Sequence, residues 1–317
     1  MTKSIIYGPV PSRRLGRSLG INNIPPKTCS YSCLYCQLGN TIKMQVGREN
    51  FYEVEEVVQG VKEKVKQVRE KGEPIDYLSF VPDGEPTLDT NLGKEIELLK
   101  PLGIKIAVLT NATLLWRREV RQDLQKADWV SLKVDAVSTE IWRRINRPQK
   151  SLKLEVILEG MVKFADIFKG ELTTESMLIQ GVNDNSGEIE KIADFLAELK
   201  PNRAYLAIPT RPPAKATITA ASEQVINMAY HIFGKRLGNV EYLIGYEGNA
   251  FAFTGKVEDD LLGITSVHPM REEAVTEFLK KADADWGVIE KLIEEGNLIE
   301  LEYQGRKFYM RKLPRKR

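Results

Sequence analysis

Cys29-Ser30-Tyr31-Ser32-Cys33-Leu34-Tyr35-Cys36 contains every cysteine of a 317-residue chain. Three thiols at the spacing C-x3-C-x2-C, with no fourth elsewhere, do not complete a four-ligand structural site by themselves. A zinc site would need a fourth ligand, and the two histidines, His231 and His268, are distant in sequence; only the fold decides whether one approaches. A disulfide plus a spare thiol suits a secreted chain, yet no apolar leader follows Met1-Thr2-Lys3-Ser4. Reduced thiols in a cytoplasmic protein are the expectation. The spacing favours a four-iron cluster held at three corners, its remaining iron open to a small molecule.

Working outward from this loop, formal charge is only +2, with 46 basic and 44 acidic side chains, so there is no global polyanion-binding signature. No apolar run reaches the length of a membrane span. The length allows one large domain with an appendage, or two domains. Strand-like and helix-like segments alternate, as in parallel βα units. Strands are expected over 18–24, 75–81, 104–110, 129–135, 172–180 and 204–209, with helices over 50–71, 92–99, 116–126, 151–168 and 189–199. Six strands with intervening helices close naturally into a (β/α)6 partial TIM barrel, an α/β fold whose functional groups gather at the C-terminal strand ends.

Those ends are polar. Val81 is followed by Pro82-Asp83-Gly84-Glu85-Pro86-Thr87, and Leu109 by Thr110-Asn111. In Ser131-Leu132-Lys133-Val134-Asp135, alternation sets Ser131, Lys133 and Asp135 on one face and Val130, Leu132 and Val134 on the other. The apolar set should meet the helices. The polar set then points into the barrel, where charge is costly unless paired or used. A Lys133–Asp135 pair that merely neutralises itself is the plain alternative. Later strands end at Met177-Leu178-Ile179-Gln180 and at Ile208-Pro209-Thr210-Arg211. Arg211 is either an anion ligand or a surface cation.

The cysteine run with Tyr35 before its last member, Asp83-Gly84-Glu85-Pro86-Thr87, Leu109-Thr110-Asn111-Ala112, Pro11-Ser12-Arg13-Arg14-Leu15-Gly16 and Arg144-Ile145-Asn146-Arg147-Pro148 resemble the radical S-adenosylmethionine (SAM) superfamily. Within it they are similar to uncharacterised Fe–S oxidoreductases related to the tRNA 4-demethylwyosine synthase. The likeness covers most of residues 1–215. It implies that Cys29, Cys33 and Cys36 ligate a [4Fe–4S] cluster whose open iron chelates SAM. It further implies that an electron, from a flavodoxin- or ferredoxin-type donor, cleaves SAM to a 5′-deoxyadenosyl radical that abstracts a substrate hydrogen. Tyr35, Gly84, Glu85, Asn111, Asp135, Gln180 and Ile208 would line the SAM site, leaving Lys133 and Arg211 as catalytic candidates. The additional cysteines of the wyosine enzyme have no counterpart here.

Arg13, Arg14 and Arg17 precede the first strand in a segment stiffened by Pro9 and Pro11. They suit a phosphate or carboxylate on the substrate, or simply remain in water. Residues 216–264 are expected to extend the barrel, with a helix over 222–237 and an irregular or strand-like stretch over 240–254. Helices over 271–281 and 286–295, then a hairpin over 298–303 and 307–311 across Gln304-Gly305, make 265–317 similar to a winged-helix module. From Gln304 onward there are seven basic residues and no acid, beside Tyr303, Phe308 and Tyr309. That composition fits RNA binding; a module packed on the barrel with a solvated tail is the alternative. The expected function is radical SAM modification of tRNA. The alternatives are modification of a peptide or protein, or a non-catalytic metal- or RNA-binding role.

Overall fold

The alternating patterns fold as their periods require, in a computed structural model that describes residues 5–245 and 247–312. β1 (Ile6–Ser12) and β2 (Gly16–Ile21) form an antiparallel hairpin, and β3 (Thr28–Cys29) bridges in parallel to β4 (Lys43–Met44) around the cysteine loop. There follow α1 (Val54–Glu70), β5 (Tyr77–Phe80), α2 (Leu92–Leu99), β6 (Lys105–Thr110), α3 (Arg118–Leu124) and β7 (Trp129–Lys133). Next come α4 (Thr139–Asn146), α5 (Leu154–Ala165), β8 (Glu171–Met177), α6 (Ser186–Leu199), β9 (Arg203–Ala207), α7 (Glu223–Gly234) and β10 (Val240–Leu243). The sheet order is β1-β2-β5-β6-β7-β8-β9-β10, parallel at every step except β1 with β2. This is the partial TIM barrel, with β10 as one parallel strand beyond the six expected. It lies at the start of the 240–254 stretch expected to be irregular or strand-like.

Burial supplies what propensity does not. α1 presents Val54, Val57, Val58, Val61, Val65 and Val68, all buried, although valine is a mediocre helix former. Each fully buried valine stabilises by roughly 1.5 kcal/mol or more, which outweighs its propensity deficit of under about 1 kcal/mol. On β7, Val130 and Leu132 are fully covered by the helical layer. Trp129, on the opposite face, packs inside the barrel with Leu15, Ala107, Tyr205, Ala207 and Leu243. Leu15 comes from the β1–β2 turn, which folds back into the lumen and brings Arg13 and Arg14 with it.

The rest of the described chain is α8 (Val257–Val267), β11 (Met270–Arg271), α9 (Glu272–Lys281), α10 (Gly287–Glu294), β12 (Leu298–Tyr303) and β13 (Arg306–Arg311). These last strands form a separate sheet in the order β11-β13-β12, following α9 and α10 in the helix–helix–hairpin order expected. Gln304 (φ 51°) and Gly305 (φ 69°) are both left-handed, as a two-residue hairpin turn requires. α8 and β11 lie outside the sequence expectation. Residues Leu261 and 263–267 of α8 are all buried, so no polar stripe marks its period. The module's core includes Tyr7 and Val10 of β1 with Leu261, Ile264, Phe278 and Leu292, which anchors it to the barrel's edge. Among the described residues no helix is long and apolar enough to cross a membrane. The terminal cations Arg315, Lys316 and Arg317 lie outside the described residues.

Candidate active site

Cys29 ends β3, and Cys33 and Cys36 follow in the loop that β2 delivers to the barrel mouth. Each sulfur has a donor at hand. Cys29 Sγ accepts from Tyr31 N and from Asn111 Nδ2, both at 3.5 Å. Cys33 Sγ accepts from Asn146 Nδ2 at 3.4 Å, and the Leu38 backbone reaches Cys36. Burial pushes the Cys33 thiol up to about 12, with Asp135 adding to it. Burial likewise raises Cys29, reinforced by Glu85, and Cys36. Metal binding requires thiolates, so these positions disfavour a bare thiolate and suit one neutralised by iron. Three thiols on one loop, each with a hydrogen-bond donor beside it, fit a four-iron cluster held at three corners.

The strand-end motifs surround this loop. A Cβ on Gly84 would fall 1.9 Å from the Thr28 carbonyl oxygen, so only glycine lets this segment lie against the strand that carries Cys29. Glu85, 1% exposed, accepts from Thr87 N at 3.1 Å, Thr110 Oγ1 at 2.6 Å and Asn111 N at 2.7 Å, and from the Thr87 hydroxyl. Burial raises its pKa against those hydrogen bonds. Its carboxylate thus ties the ends of β5 and β6 together, and Asn111, so fixed, reaches Cys29 and Ser30. Asp135 plays a similar part. It accepts from the Tyr35 hydroxyl, from Asn146 Nδ2 at 2.7 Å and from Met177 N at 2.9 Å. Its two oxygens tie the cysteine loop, through Tyr35, to α4 and to the end of β8.

A cavity of about 340 Å³ opens beside Cys33 and Cys36. Gly84, Tyr35 and Ile208 line it, as do Lys133 and Arg211. Lys133 pairs directly with Glu175 on β8 and stands 3.7 Å from Asp135, with its ammonium 4.9 Å from the Tyr35 ring centroid. Its main partner is therefore Glu175, not the Asp135 that alternation suggested. The register makes Lys133 and Glu175 direct cross-strand neighbours, a signal available only once β7 and β8 are paired. Arg14 grips the other Glu175 oxygen. Burial would raise Glu175, yet Lys133 and Arg14 hold it down at about 2. Burial would also strip the charge from Lys133, but Asp135 and Glu175 keep it raised, so it serves as a fixed cation.

Across the cavity, Arg211 donates to Gln37 Oε1 at 2.8 Å and pairs with Glu247 at 2.8 Å. Arg13 takes the other Glu247 oxygen at 3.0 Å. His268, 3.1 Å from Arg211, is driven down to about 3 by burial and the adjacent guanidinium. Glu175, Glu247, Gln37 and His268 did not emerge as site residues from the sequence. Glu85, Asn111 and Asp135, expected to line the SAM site, are held against the cysteine loop and are not among the residues lining the cavity. Two further expected positions fall elsewhere. Gln180 is exposed and bonded to Thr219, because β8 ends at Met177 and the chain turns away. Arg17 pairs with Glu73 on the outer surface, so only two of the N-terminal arginines reach the cavity.

A parallel partial barrel carrying three thiols beside an open cavity at its mouth is an arrangement suited to cluster-dependent chemistry. The chain belongs to the radical SAM superfamily: that family's model matches residues 23–208. A UPF0026 protein of Methanocaldococcus jannaschii is 49% identical over 312 residues, covering 98% of this chain and 97% of its own. A UPF0026 protein of Helicobacter pylori is 36% identical, over 66% of this chain and 67% of its own. Among solved structures, a radical SAM methyltransferase from Sphaerobacter thermophilus aligns with a TM-score of 0.54 at 16% identity, covering 72% of this chain and 66% of that one. Membership makes this chain an enzyme of the class, with a [4Fe–4S] cluster and SAM as its cofactors.

Proposed function

We propose that Cys29, Cys33 and Cys36 hold the cluster, that the adjoining cavity seats SAM, and that the substrate is tRNA. The cluster and SAM, when bound, supply reductive carbon–sulfur cleavage and a hydrogen-abstracting radical. The protein's own part is to orient and to screen. Glu85 and Asp135 lock the loop, Gly84 and Ile208 present backbone to the cofactor, and Tyr35 and Met177 add apolar wall. The half-buried, undisulfided thiols suit a reducing cytoplasm.

One observation carries the substrate reading: Arg13, Arg14, Lys133 and Arg211 all line the same cavity. Guanidinium forks favour phosphate oxygens. The β12–β13 hairpin adds to this, because Tyr303 donates to the Pro209 carbonyl at the cavity wall at 3.2 Å, which stands the hairpin tip beside the mouth. Arg306 and Lys307 there pair with Glu273 and Glu300 in half-exposed positions, and such pairs exchange readily for phosphate. Phe308 and Tyr309, each 2% exposed, belong to the module's core, so base stacking falls to other rings.

The deciding experiment gives the anaerobically reconstituted enzyme SAM, dithionite and total tRNA, then measures 5′-deoxyadenosine and the digested nucleosides. Deoxyadenosine formation stimulated by tRNA, with a new nucleoside mass, is expected. Stimulation by a peptide fraction and none by tRNA would overturn the substrate reading.

A further inference from the structure

Residues 140–153 hold Arg143, Arg144, Arg147, Lys150 and Lys153, with Glu140 as the sole acid. Arg143, Arg144, Lys150 and Lys153 are exposed, and among the described residues none of the five forms a side-chain ion pair of 4.0 Å or less, unlike the cations of the cavity. Glu155 follows as the next acid, and it is engaged by the Thr139 hydroxyl at 3.1 Å. This cationic face is joined to the cysteine loop by main chain. Ser32 N donates to Asn146 O at 3.0 Å, Leu34 N to Ile145 O at 2.9 Å, and Gln149 N to Ser30 O at 2.9 Å. Trp142 Nε1 donates to Tyr31 OH at 2.6 Å, and Asn146 Nδ2 reaches Cys33 Sγ itself.

None of the five cations lines the cavity. A macromolecule seated on them faces the back of a cysteine ligand, with a wall of protein between it and the substrate. Hydrogen abstraction needs contact, whereas an electron crosses a short hydrogen-bonded wall. We propose that this face, from Arg143 to Lys153, docks an acidic one-electron carrier protein that reduces the cluster through the Asn146–Cys33 contact. The inference rests on the cluster assignment above but not on the tRNA reading. Per event the carrier loses one electron and the cluster gains it, passing from its 2+ to its 1+ state.

The test mixes reconstituted holoenzyme with flavodoxin hydroquinone in an anaerobic stopped-flow and follows the flavin semiquinone. The R143E/R144E/K150E/K153E variant should react at least about tenfold more slowly at low ionic strength, with a flattened salt dependence, as loss of electrostatic steering predicts. Its iron content and its SAM cleavage with saturating dithionite, which needs no docking, should match the parent. Equal flavodoxin rates in parent and variant overturn the surface. Loss of tRNA retention with unchanged flavodoxin kinetics overturns it as well and assigns the face to RNA. A parent that assembles no cluster defeats the function reading instead; calorimetric, salt-dependent binding of oxidised flavodoxin then still decides the face.

Discussion

The barrel mouth and the C-terminal module contain the same charged residue types in opposite circumstances. At the mouth, Lys133, Arg14 and Glu175, or Arg13, Arg211 and Glu247, meet across long stretches of chain with side chains less than a quarter exposed. In the module, Arg306–Glu273, Lys307–Glu300 and Lys291–Glu258 stand about half in water. Buried pairs are held by one another and collapse when a partner is removed, while exposed pairs contribute little. Charge count therefore says nothing about which region does chemistry. Burial and the distance in sequence over which partners meet separate the two.

The sharpest break in this contrast is at the thiols. Replacing any one of Cys29, Cys33 or Cys36 by Ala should abolish 5′-deoxyadenosine formation, assayed by chromatography, while stability in denaturant changes modestly. Retained deoxyadenosine in any of the three would remove the cluster assignment. Next comes Lys133→Met, which leaves Glu175 to Arg14 alone. SAM cleavage should fall by roughly a hundredfold, the scale of a lost electrostatic partner. Parent-like turnover would make Lys133 a mere space filler.

Third, Glu85→Ala strands the donors of Thr87, Thr110 and Asn111, and should lower the unfolding free energy by about 1–3 kcal/mol in denaturant titrations. An unchanged midpoint would mean that the β5 and β6 ends are held by something else. The fourth concerns the seam between the two regions. His268 is neutral in the fold, its pKa depressed to about 3 from an unfolded value of about 6.5. Its contribution is complete above the unfolded value and is lost as pH falls from about 6.5 towards 3, with a slope on the order of 1 kcal/mol per pH unit. Measured between pH 5 and 7, where Glu175 and Glu247 stay ionised, this loss should be present in the parent and absent in His268→Gln. The smallest effect belongs to the module's surface. Lys307→Ala should change stability by no more than about 1 kcal/mol, and a larger loss would place that pair among the buried ones.

Much of this organisation is legible in one dimension. The period-2 and period-3.6 patterns gave six of the parallel strands, because a barrel strand and its covering helix each impose a spacing on apolar residues. Alternation on β7 set Ser131, Lys133 and Asp135 opposite Val130, Leu132 and Val134, and Lys133 does line the cavity while Val130 and Leu132 meet the helical layer. The resemblance misplaced Gln180, since the strand stops before it, and composition misjudged Phe308 and Tyr309, which β13 buries in the module. α8 left no pattern, being buried along most of its length, and the stretch read as irregular or strand-like proved to hold only the short β10.

By itself, the sequence determined the three-thiol loop proposed as the ligand set, the barrel and the polar strand ends, because these depend on residue identity and local spacing. Only the tertiary structure decided that Lys133 answers to Glu175, that Asp135 and Glu85 are fully occupied in locking the loop, and that Glu247 joins the cavity wall with His268 behind Arg211. It alone set the cations from Arg143 to Lys153 behind Cys33. Such partnerships depend on strand register and on where the chain returns, and neither is written in the spacing of residues along it.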